Sequence, residues 1–362
     1  MDTTAGGTPG ATRAGRGDGS LHDSGTVRRK GGGATDAVGI VVLVCCAVWA
    51  LAAAAGRSAR PEGTLLALLA VTAGYALGRI LGALLPVLAP ATAAGAVLAL
   101  VLIPPTRLSA HPDAPPLGYP NADAALLVLA VGAACCAAWA ARGSARRIAL
   151  RCVGAGAAVT ALALGSAAGF AAGTAVVLCS LAAARMRGRL LGLTGLALAA
   201  ALVVGGSCAV AVDALPAGLS ESLTGQLTQP RVELWHQAVT LTEHHPLRGV
   251  GPGRFADEAP PATGPVPASD SPQSAPLQLA AEQGIPGVAL LAVAFGWLLT
   301  ALWRSPRPTP VVLTAAASLT GLAMLATVDH VLSYAVVTAG AGFLSGVATA
   351  HPLSDEAFLP PT

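Results

Sequence analysis

The sequence has 362 residues, of which 54% are hydrophobic and only 11% are charged. Soluble domains carry about 25% charged residues, so this composition excludes an ordinary soluble enzyme and predicts a membrane protein. The net charge of +3 arises without a long basic block, which argues against a nucleic-acid partner. The seven cysteines form no CxxC pair and lie in or beside apolar runs, so we interpret them as packing residues and not as metal ligands.

Apolar runs divide the chain into tails, spans and one polar segment. Residues 1–35 have hardly any large apolar side chains, which predicts a disordered cytoplasmic tail. Residues 36–212 and 285–350 are predicted to form transmembrane helices 1–7 and 8–10, and residues 351–362 a second cytoplasmic tail. The predicted spans are 37–56, 64–86, 88–104, 121–141, 148–165, 168–184, 190–212, 285–303, 309–328 and 331–349. The predicted fold class is therefore all-α, a polytopic transmembrane helical bundle of about ten spans.

Three features of these runs bear on the number and setting of the spans. The fifth and sixth runs almost join through residues 165–169, so nine spans are an alternative to ten. The first run has no clear cleavage site after it, so we expect a retained span and not a signal peptide. Arg79 lies within the second span. Because an intramembrane charge is costly, we expect Arg79 to face an interface or a cavity, or to snorkel towards the cytoplasm.

The distribution of basic residues predicts the orientation of the bundle. Short cytoplasmic loops are enriched in lysine and arginine. With the N-terminus inside, 14 of the 21 basic residues fall on the cytoplasmic side and 6 on the outer side. We therefore predict a multi-pass plasma-membrane protein with both termini in the cytoplasm and residues 213–284 as a large extracytoplasmic loop.

The large outer loop begins with a predicted helix. Pro230 suits the first helical turn, and the spacing of Val232, Trp235 and Val239 places these three side chains on one apolar face. Pro246 is expected to end the helix. We interpret Trp235 either as a packing residue on the apolar face or as a ring that stacks on a sugar.

A glycine-rich turn follows the predicted helix at residues 248–255. Its glycines, Gly251 among them, allow a ligand to approach the backbone closely, and Arg248 and Arg254 flank the turn. This arrangement suits a phosphate or pyrophosphate, although solvated loop arginines are the simpler interpretation. A second short helix is predicted to end at Gly284.

The outer loop carries three motifs: Arg231-x-x-x-Trp235-x-x-Ala238, His245-Pro246-Leu247-x-Gly249-Val250-Gly251-Pro252-Gly253-x-Phe255, and Pro276-Leu277-Gln278-x-x-x-Glu282-x-Gly284-x-x-Gly287. Residues 116–122 before the fourth span and the pair Asp329-His330 extend the pattern. Together these motifs resemble the bacterial O-antigen ligase and polymerase superfamily. The segment Gly118-Tyr119-Pro120-Asn121-Ala122 resembles the start of a span in its actinobacterial members.

The resemblance implies a glycosyltransferase that acts outside the cytoplasm without a metal or other cofactor. Its donor is an undecaprenyl-pyrophosphate-linked glycan in the lipid bilayer, and its acceptor is a glycan or another envelope molecule. The sequence leaves open whether the product is a ligated or a polymerised glycan. An arginine stabilises the departing lipid pyrophosphate in such a reaction, and a histidine takes the proton of the acceptor hydroxyl. Arg231 occupies one of the two usual arginine positions.

Two positions depart from the family pattern. Gln273 stands where the resemblance places the histidine base, and glutamine cannot act as a general base. Ala167 stands where a second arginine is usual. We therefore consider His245 and His330 as substitute bases, and the sequence alone does not choose between them or the other outer histidines.

These arguments define the predicted site and its alternatives. The predicted catalytic residues are Arg231, His245 and His330, and the predicted substrate-binding residues are Arg248, Arg254, Trp235, Gly251, Gln273 and Gln278. We interpret Asn121 as the cap of the fourth span. The alternative function is a catalytically degenerate member that binds a lipid-linked glycan or a partner protein without transfer. A transporter is less favoured, because the spans show no clear inverted repeat.

Overall fold

The computed structural model describes residues 24–103, 119–186, 188–212, 214, 229–259 and 271–351. Its helices are α1 Ser24–Ala54, α2 Glu62–Leu84, α3 Leu88–Leu102, α4 Pro120–Ala140, α5 Ser144–Ala163, α6 Ala167–Ala183, α7 Arg189–Ala211, α8 Gln229–His244, α9 Phe255–Glu258, α10 Ala275–Trp303, α11 Thr309–Val328 and α12 Ala335–Thr349. A short 3₁₀ turn, Val331–Ser333, precedes α12. No strand occurs within these ranges, which confirms the all-α class.

Each predicted span coincides with one of these helices, and six of the helices are long and apolar enough to cross a membrane. The six are Gly33–Ala54 within α1, α2, α4, α7, α10 and α11. The helices α3, α6 and α12 are apolar but shorter, at 15, 17 and 15 residues. Helix α5 carries three arginines within its first eight residues. The chain is therefore a multi-pass membrane protein, and the count of about ten spans stays a prediction.

Helix α1 begins earlier than its apolar run. It starts at Ser24, so residues 24–35 of the predicted tail are helical, while residues 1–23 and 352–362 lie outside the described residues. Extending a helix adds one hydrogen bond for each residue fixed, which allows a polar stretch to continue an apolar helix. The carbonyl of Thr35 also accepts a hydrogen bond of 3.0 Å from the indole of Trp297, which ties this part of α1 to α10.

Two central helices organise the bundle. Helices α4 and α11 are almost completely buried, whereas α1, α2, α7 and α10 bury only about a fifth of their apolar length. The outer helices direct leucine, isoleucine and valine side chains outwards. Such faces are stable against lipid tails, which are as apolar as a protein core.

Helices α2 and α12 pack through glycines. A Cβ atom at Gly74 or Gly78 would lie 2.1 Å from the carbonyl oxygen of Ala339 or Phe343 on α12. In return, a Cβ atom at Gly342 would lie 2.2 Å from a carbonyl oxygen of α2. Because lipid supplies no hydrophobic force between helices, close backbone contact of this kind drives helix association in membranes.

Arg79 is paired. Its guanidinium makes an ion pair of 2.9 Å with Asp36 on α1 and donates a 2.8 Å hydrogen bond to the carbonyl of Thr349 at the end of α12. Tyr75 donates to the other oxygen of Asp36 at 2.9 Å. The expected interface is therefore the junction of α1, α2 and α12.

Two further arginines close helix ends beside this junction. Arg307 donates to the carbonyl of Ala350 at 2.9 Å and to that of Gly82 near the end of α2. Arg189 donates to the carbonyl of Trp303, the last residue of α10, at 3.1 Å and to that of Ser305 at 2.7 Å. The last carbonyls of a helix have no partner within it, so each guanidinium satisfies acceptors that lipid cannot satisfy.

The packing of α2 on α12 makes opposite predictions for two Gly→Ala changes. Gly78→Ala forces a methyl group into the backbone of α12 and should lower the free energy of unfolding by about 1–3 kcal/mol through overpacking. Gly95→Ala in α3 meets no atom within 4 Å and should be neutral or stabilising by about 0.5–1 kcal/mol. Dodecyl-sulfate unfolding in mixed micelles, followed by circular dichroism, measures both changes. Equal stability of the two variants would contradict this packing.

Candidate functional site

The predicted helix at the start of the outer loop is α8, which ends at His244 as Pro246 leads one to expect. Trp235 and Ala238 on α8 pack in one apolar cluster with Phe255, Leu277 and Ala281. Trp235 is only 1% exposed. Its burial supports the packing interpretation, and its predicted contact with a sugar stays a prediction.

The glycine-rich turn is fastened to the backbone of α10. The amides of Val250 and Gly251 donate hydrogen bonds of 2.9 Å to the carbonyls of Ala281 and Glu282. Gly284 breaks the regular helix there, with a φ of 72°. A Cβ atom at Gly249 would lie 2.3 Å from the backbone of Glu282. Glycine is thus required at position 249 because the backbone of the turn contacts the backbone of α10, whether or not a ligand also approaches.

The two arginines that flank the turn have partners within the protein. Arg248 donates to the carbonyls of Ala52 and Ala55 at the end of α1, the second at 2.9 Å. Arg254 forms an ion pair of 2.5 Å with Glu258. These contacts fit solvated or capping arginines, and their binding of phosphate stays a prediction.

Three other predicted site residues lie in or near this docked turn. His245 is exposed, and its backbone amide continues the helical pattern by donating to Leu241. Gln278 donates a 3.2 Å hydrogen bond to the buried carboxylate of Glu282. The same carboxylate accepts hydrogen bonds from the backbone amides of Gly253 and Phe255. Gly251 and Gln278 therefore support the turn, and no contact here tests their binding of substrate.

Arg231 and Gln273 come together in space. The carbonyl oxygen of the Gln273 side chain accepts from Nε and Nη2 of Arg231 at 3.3 and 3.2 Å. Gln273 is also the only non-glycine residue with a positive φ, 50°, among the described residues. Such backbone costs about 1–3 kcal/mol and is enriched at functional sites. Gln273, which occupies the position where the resemblance places the base, therefore contacts Arg231, the residue predicted to bind the pyrophosphate.

A second cluster surrounds Asp329, which directly follows α11. The hydroxyl of Tyr119 lies 2.8 and 2.7 Å from the two carboxylate oxygens, and the Asn121 amide donates to one of them. The backbone amide of His330 donates to Oδ1 at 2.7 Å, and Nδ1 of its ring lies 3.0 Å from the same oxygen. Asp329 is only 3% exposed, so this buried carboxylate is fully engaged by hydrogen-bond donors.

Aromatic rings pack around the cluster, and burial and hydrogen bonds shift the pKa values of Asp329 and Tyr119. Tyr119 lies with its ring centroid 4.7 Å from that of His330 and stacks parallel to Tyr334 at 5.9 Å. Burial raises the pKa of Asp329, but the hydrogen bonds from His330, Tyr119 and Asn121 outweigh burial and hold the pKa below its usual value. Burial, followed by the hydrogen bond to Asp329, raises the pKa of Tyr119 to about 12.

The two clusters occupy the same end of the bundle. The charge of Arg231 acts on the Tyr119 phenol, and Val328, the last residue of α11, packs against the apolar cluster under α8. Helix α6 also begins here, because a Cβ atom at Gly169 would lie 2.8 Å from Ala124 of α4. The starts of α4 and α6 thus lie at the same end of the bundle as helix α8 and the end of α11.

The sequence interpretation missed part of this site. Asn121 is not the cap of α4, because its side chain instead donates to Asp329, 208 residues away. Tyr119 occupies the cap position, makes no capping hydrogen bond and uses its hydroxyl on Asp329. A signal was present: Tyr119 and Asn121 belong to one motif of the resemblance, and Asp329-His330 to another.

Comparison with known families identifies the central part of the chain. Residues 152–292, from α5 into α10, match the family described as O-antigen ligase. This match supports membership of the O-antigen ligase superfamily. No curated protein matches the chain. Arg231 and Gln273 fall inside the matched region, whereas the Asp329 cluster lies outside it.

The contact between Tyr119 and Asp329 makes a prediction for alkaline titration. Asp329→Asn keeps an acceptor but removes the negative charge, so the pKa of Tyr119 should fall from about 12 towards its ordinary value of 10. The chain has three tyrosines, so ¹³C labelling of the tyrosine ring gives resolvable signals. The signal of Tyr75, which bonds Asp36 at the other end of the bundle, should not move. An unchanged Tyr119 signal would contradict the contact.

Proposed function

We propose that this O-antigen ligase relative transfers or polymerises an undecaprenyl-pyrophosphate-linked glycan onto an acceptor at the outer face of the plasma membrane. The observation that carries the proposal is the packing of Val328, next to the Asp329-His330 pair, against the apolar cluster of α8, the helix that carries Arg231. The two groups supply the two functions that the reaction needs, stabilisation of a leaving pyrophosphate and removal of a proton.

Arg231 stabilises the leaving group. The bond between the anomeric carbon and the pyrophosphate oxygen breaks, and the lipid pyrophosphate departs with the electron pair. A guanidinium binds such an oxyanion through two parallel hydrogen bonds and keeps its charge at any working pH. Its partner Gln273 is neutral and holds the guanidinium without cancelling its charge.

His330 removes the proton from the acceptor. The acceptor oxygen attacks the anomeric carbon, and its proton passes to Nε2 of His330. Oδ1 of Asp329 lies 3.0 Å from Nδ1, so its negative charge stabilises the imidazolium that forms and favours a ring orientation that leaves Nε2 free for this step. His245 is a less favoured base, because it is exposed on the turn beyond α8.

A non-catalytic role is the second candidate. Gln273 occupies the position of the usual base and is bonded to Arg231, and Ala167 leaves the second arginine position empty. A family scaffold with these changes would bind the lipid-linked glycan, or a partner protein, without transfer. The two candidates differ in whether the natural sequence releases lipid pyrophosphate.

Turnover in proteoliposomes distinguishes the two candidates. We expect the natural protein to release polyprenyl pyrophosphate from a polyprenyl-pyrophosphate-linked glycan, and Arg231→Ala and His330→Ala each to reduce kcat by about 10²–10⁴-fold. Arg304→Ala, which changes an exposed arginine beyond α10, should keep full activity.

The outcomes separate transfer from binding. Turnover by the natural protein that disappears in Arg231→Ala supports the transferase. If the natural protein is inactive and Gln273→His restores turnover, the chain is a binding member of the family and the transferase proposal is wrong.

The proposed orientation has its own test. With seven native cysteines replaced by alanine, a cysteine at Leu247, which is 72% exposed on the outer turn, should react with an impermeant maleimide on intact cells. A cysteine at Arg146 in α5 should react only after the cells are permeabilised. The reverse pattern would contradict a cytoplasmic N-terminus and an outer loop.

A further inference from the structure

Tyr119 and Asn121 have a role that neither the family match nor the sequence assigns. We propose that they are positioning residues, which fix Asp329 and thereby hold the His330 ring in the orientation that transfers a proton. This inference rests on the proposed function, because it concerns the base of that reaction. Neither residue is proposed to contact the substrate.

Hydrogen-bond geometry supports this role first. Asp329 follows the last turn of α11 with extended backbone, so its own helix does not fix the carboxylate. Tyr119 reaches both carboxylate oxygens, and Asn121 bonds one of them and also lies 3.3 Å from the Tyr119 hydroxyl. Two side chains at the start of α4, one of the two central helices, thus hold the carboxylate in place.

Ring packing supports the same role. Tyr119 contacts Asp329 through its hydroxyl and His330 through its ring, with 4.7 Å between ring centroids. Tyr334 packs against both rings, with centroids 5.9 Å from Tyr119 and 5.8 Å from His330. The imidazole is therefore confined between a carboxylate and two phenol rings, and only one of those phenols bonds the carboxylate.

The charged groups around the cluster come from four elements. Asp329 lies beside His330 on the same segment, and Tyr334 precedes α12. Helix α4 contributes Tyr119 and Asp123, whose charge acts on Tyr334, and α8 contributes Arg231, whose charge acts on Tyr119. Tyr119 contacts the Asp329-His330 pair directly, and the charge of Arg231 acts on its phenol. It therefore links the two parts of the proposed site, Arg231 and the Asp329-His330 pair.

Matched Tyr→Phe variants test the role. Tyr119→Phe keeps the ring and removes the hydroxyl from Asp329, so kcat should fall by about 10–100-fold while KM for the donor stays unchanged. Asn121→Leu should act in the same direction. Tyr334→Phe removes a hydroxyl from the neighbouring stacked ring, and among the described residues that hydroxyl does not bond Asp329. This control should keep full activity.

A readout independent of turnover follows the His330 ring. Diethyl pyrocarbonate modifies imidazole, and peptide mass spectrometry gives the rate at His330 alone. Loss of the Tyr119 hydroxyl should release the ring and increase this rate severalfold, whereas Tyr334→Phe should not change it. Equal rates in Tyr119→Phe and the natural protein would overturn the positioning role, even if the protein is an active transferase.

The two readouts keep this inference separate from the proposed function. If the natural protein shows no turnover but Tyr119→Phe still releases His330, the proposed function fails and the positioning of the ring stands. If turnover is normal in Tyr119→Phe and Asn121→Leu, the proposed function stands and the positioning role fails. A rise in KM with unchanged kcat would place Tyr119 in substrate binding and would also overturn the role.

Discussion

The carbonyl ends of helices must find donors in a bilayer, and arginine side chains meet this requirement throughout the structure. Arg79, Arg189 and Arg307 bond the final carbonyls of α12, α10 and α2 at one end of the bundle. Arg248 bonds the last turn of α1 at the other end. Each guanidinium joins two segments that are far apart in sequence, so the contacts that satisfy helix ends also fix the order of the helices. The arginines that predict orientation are therefore also structural residues.

The same requirement explains the position of the described residues between α7 and α10. The kink at Gly284 interrupts the hydrogen bonds of α10, and the glycine-rich turn supplies donors to the carbonyls exposed there. Only glycine allows this approach at position 249. The docked turn holds α8 over α10, with Trp235 buried between them. Arg231 thus reaches the end of the bundle where Asp329 lies, and a rigid scaffold carries the site although its residues belong to connecting segments.

Local patterns predicted the elements of this structure but not the contacts of its site. Long apolar runs predicted the membrane helices, because bilayer thickness fixes the length of a span. Pro230 and Pro246 predicted where α8 begins and ends. The bond between Tyr119 and Asp329 joins residues 210 apart, and no periodicity reports on such a pair. Asn121 shows the limit clearly, since its position near a helix start predicts a cap, while the fold uses its side chain elsewhere. The family resemblance pointed to both segments, residues 116–122 and Asp329-His330, but it did not predict that they are in contact.

Charge balance explains how a carboxylate can lie beside the proposed site of an anionic donor. An uncompensated Asp329 would repel a pyrophosphate, whereas donors from Tyr119, Asn121 and His330 disperse its charge and keep it ionised. The charge of Arg231 is not compensated in this way, because its partner Gln273 is a neutral amide that orients the guanidinium without reducing its charge. In the proposed reaction, glutamine at position 273 leaves the charge of Arg231 available to the leaving group, and the role of the base passes to His330. On this argument the departure at Gln273 redistributes the chemistry of the site and does not by itself abolish it.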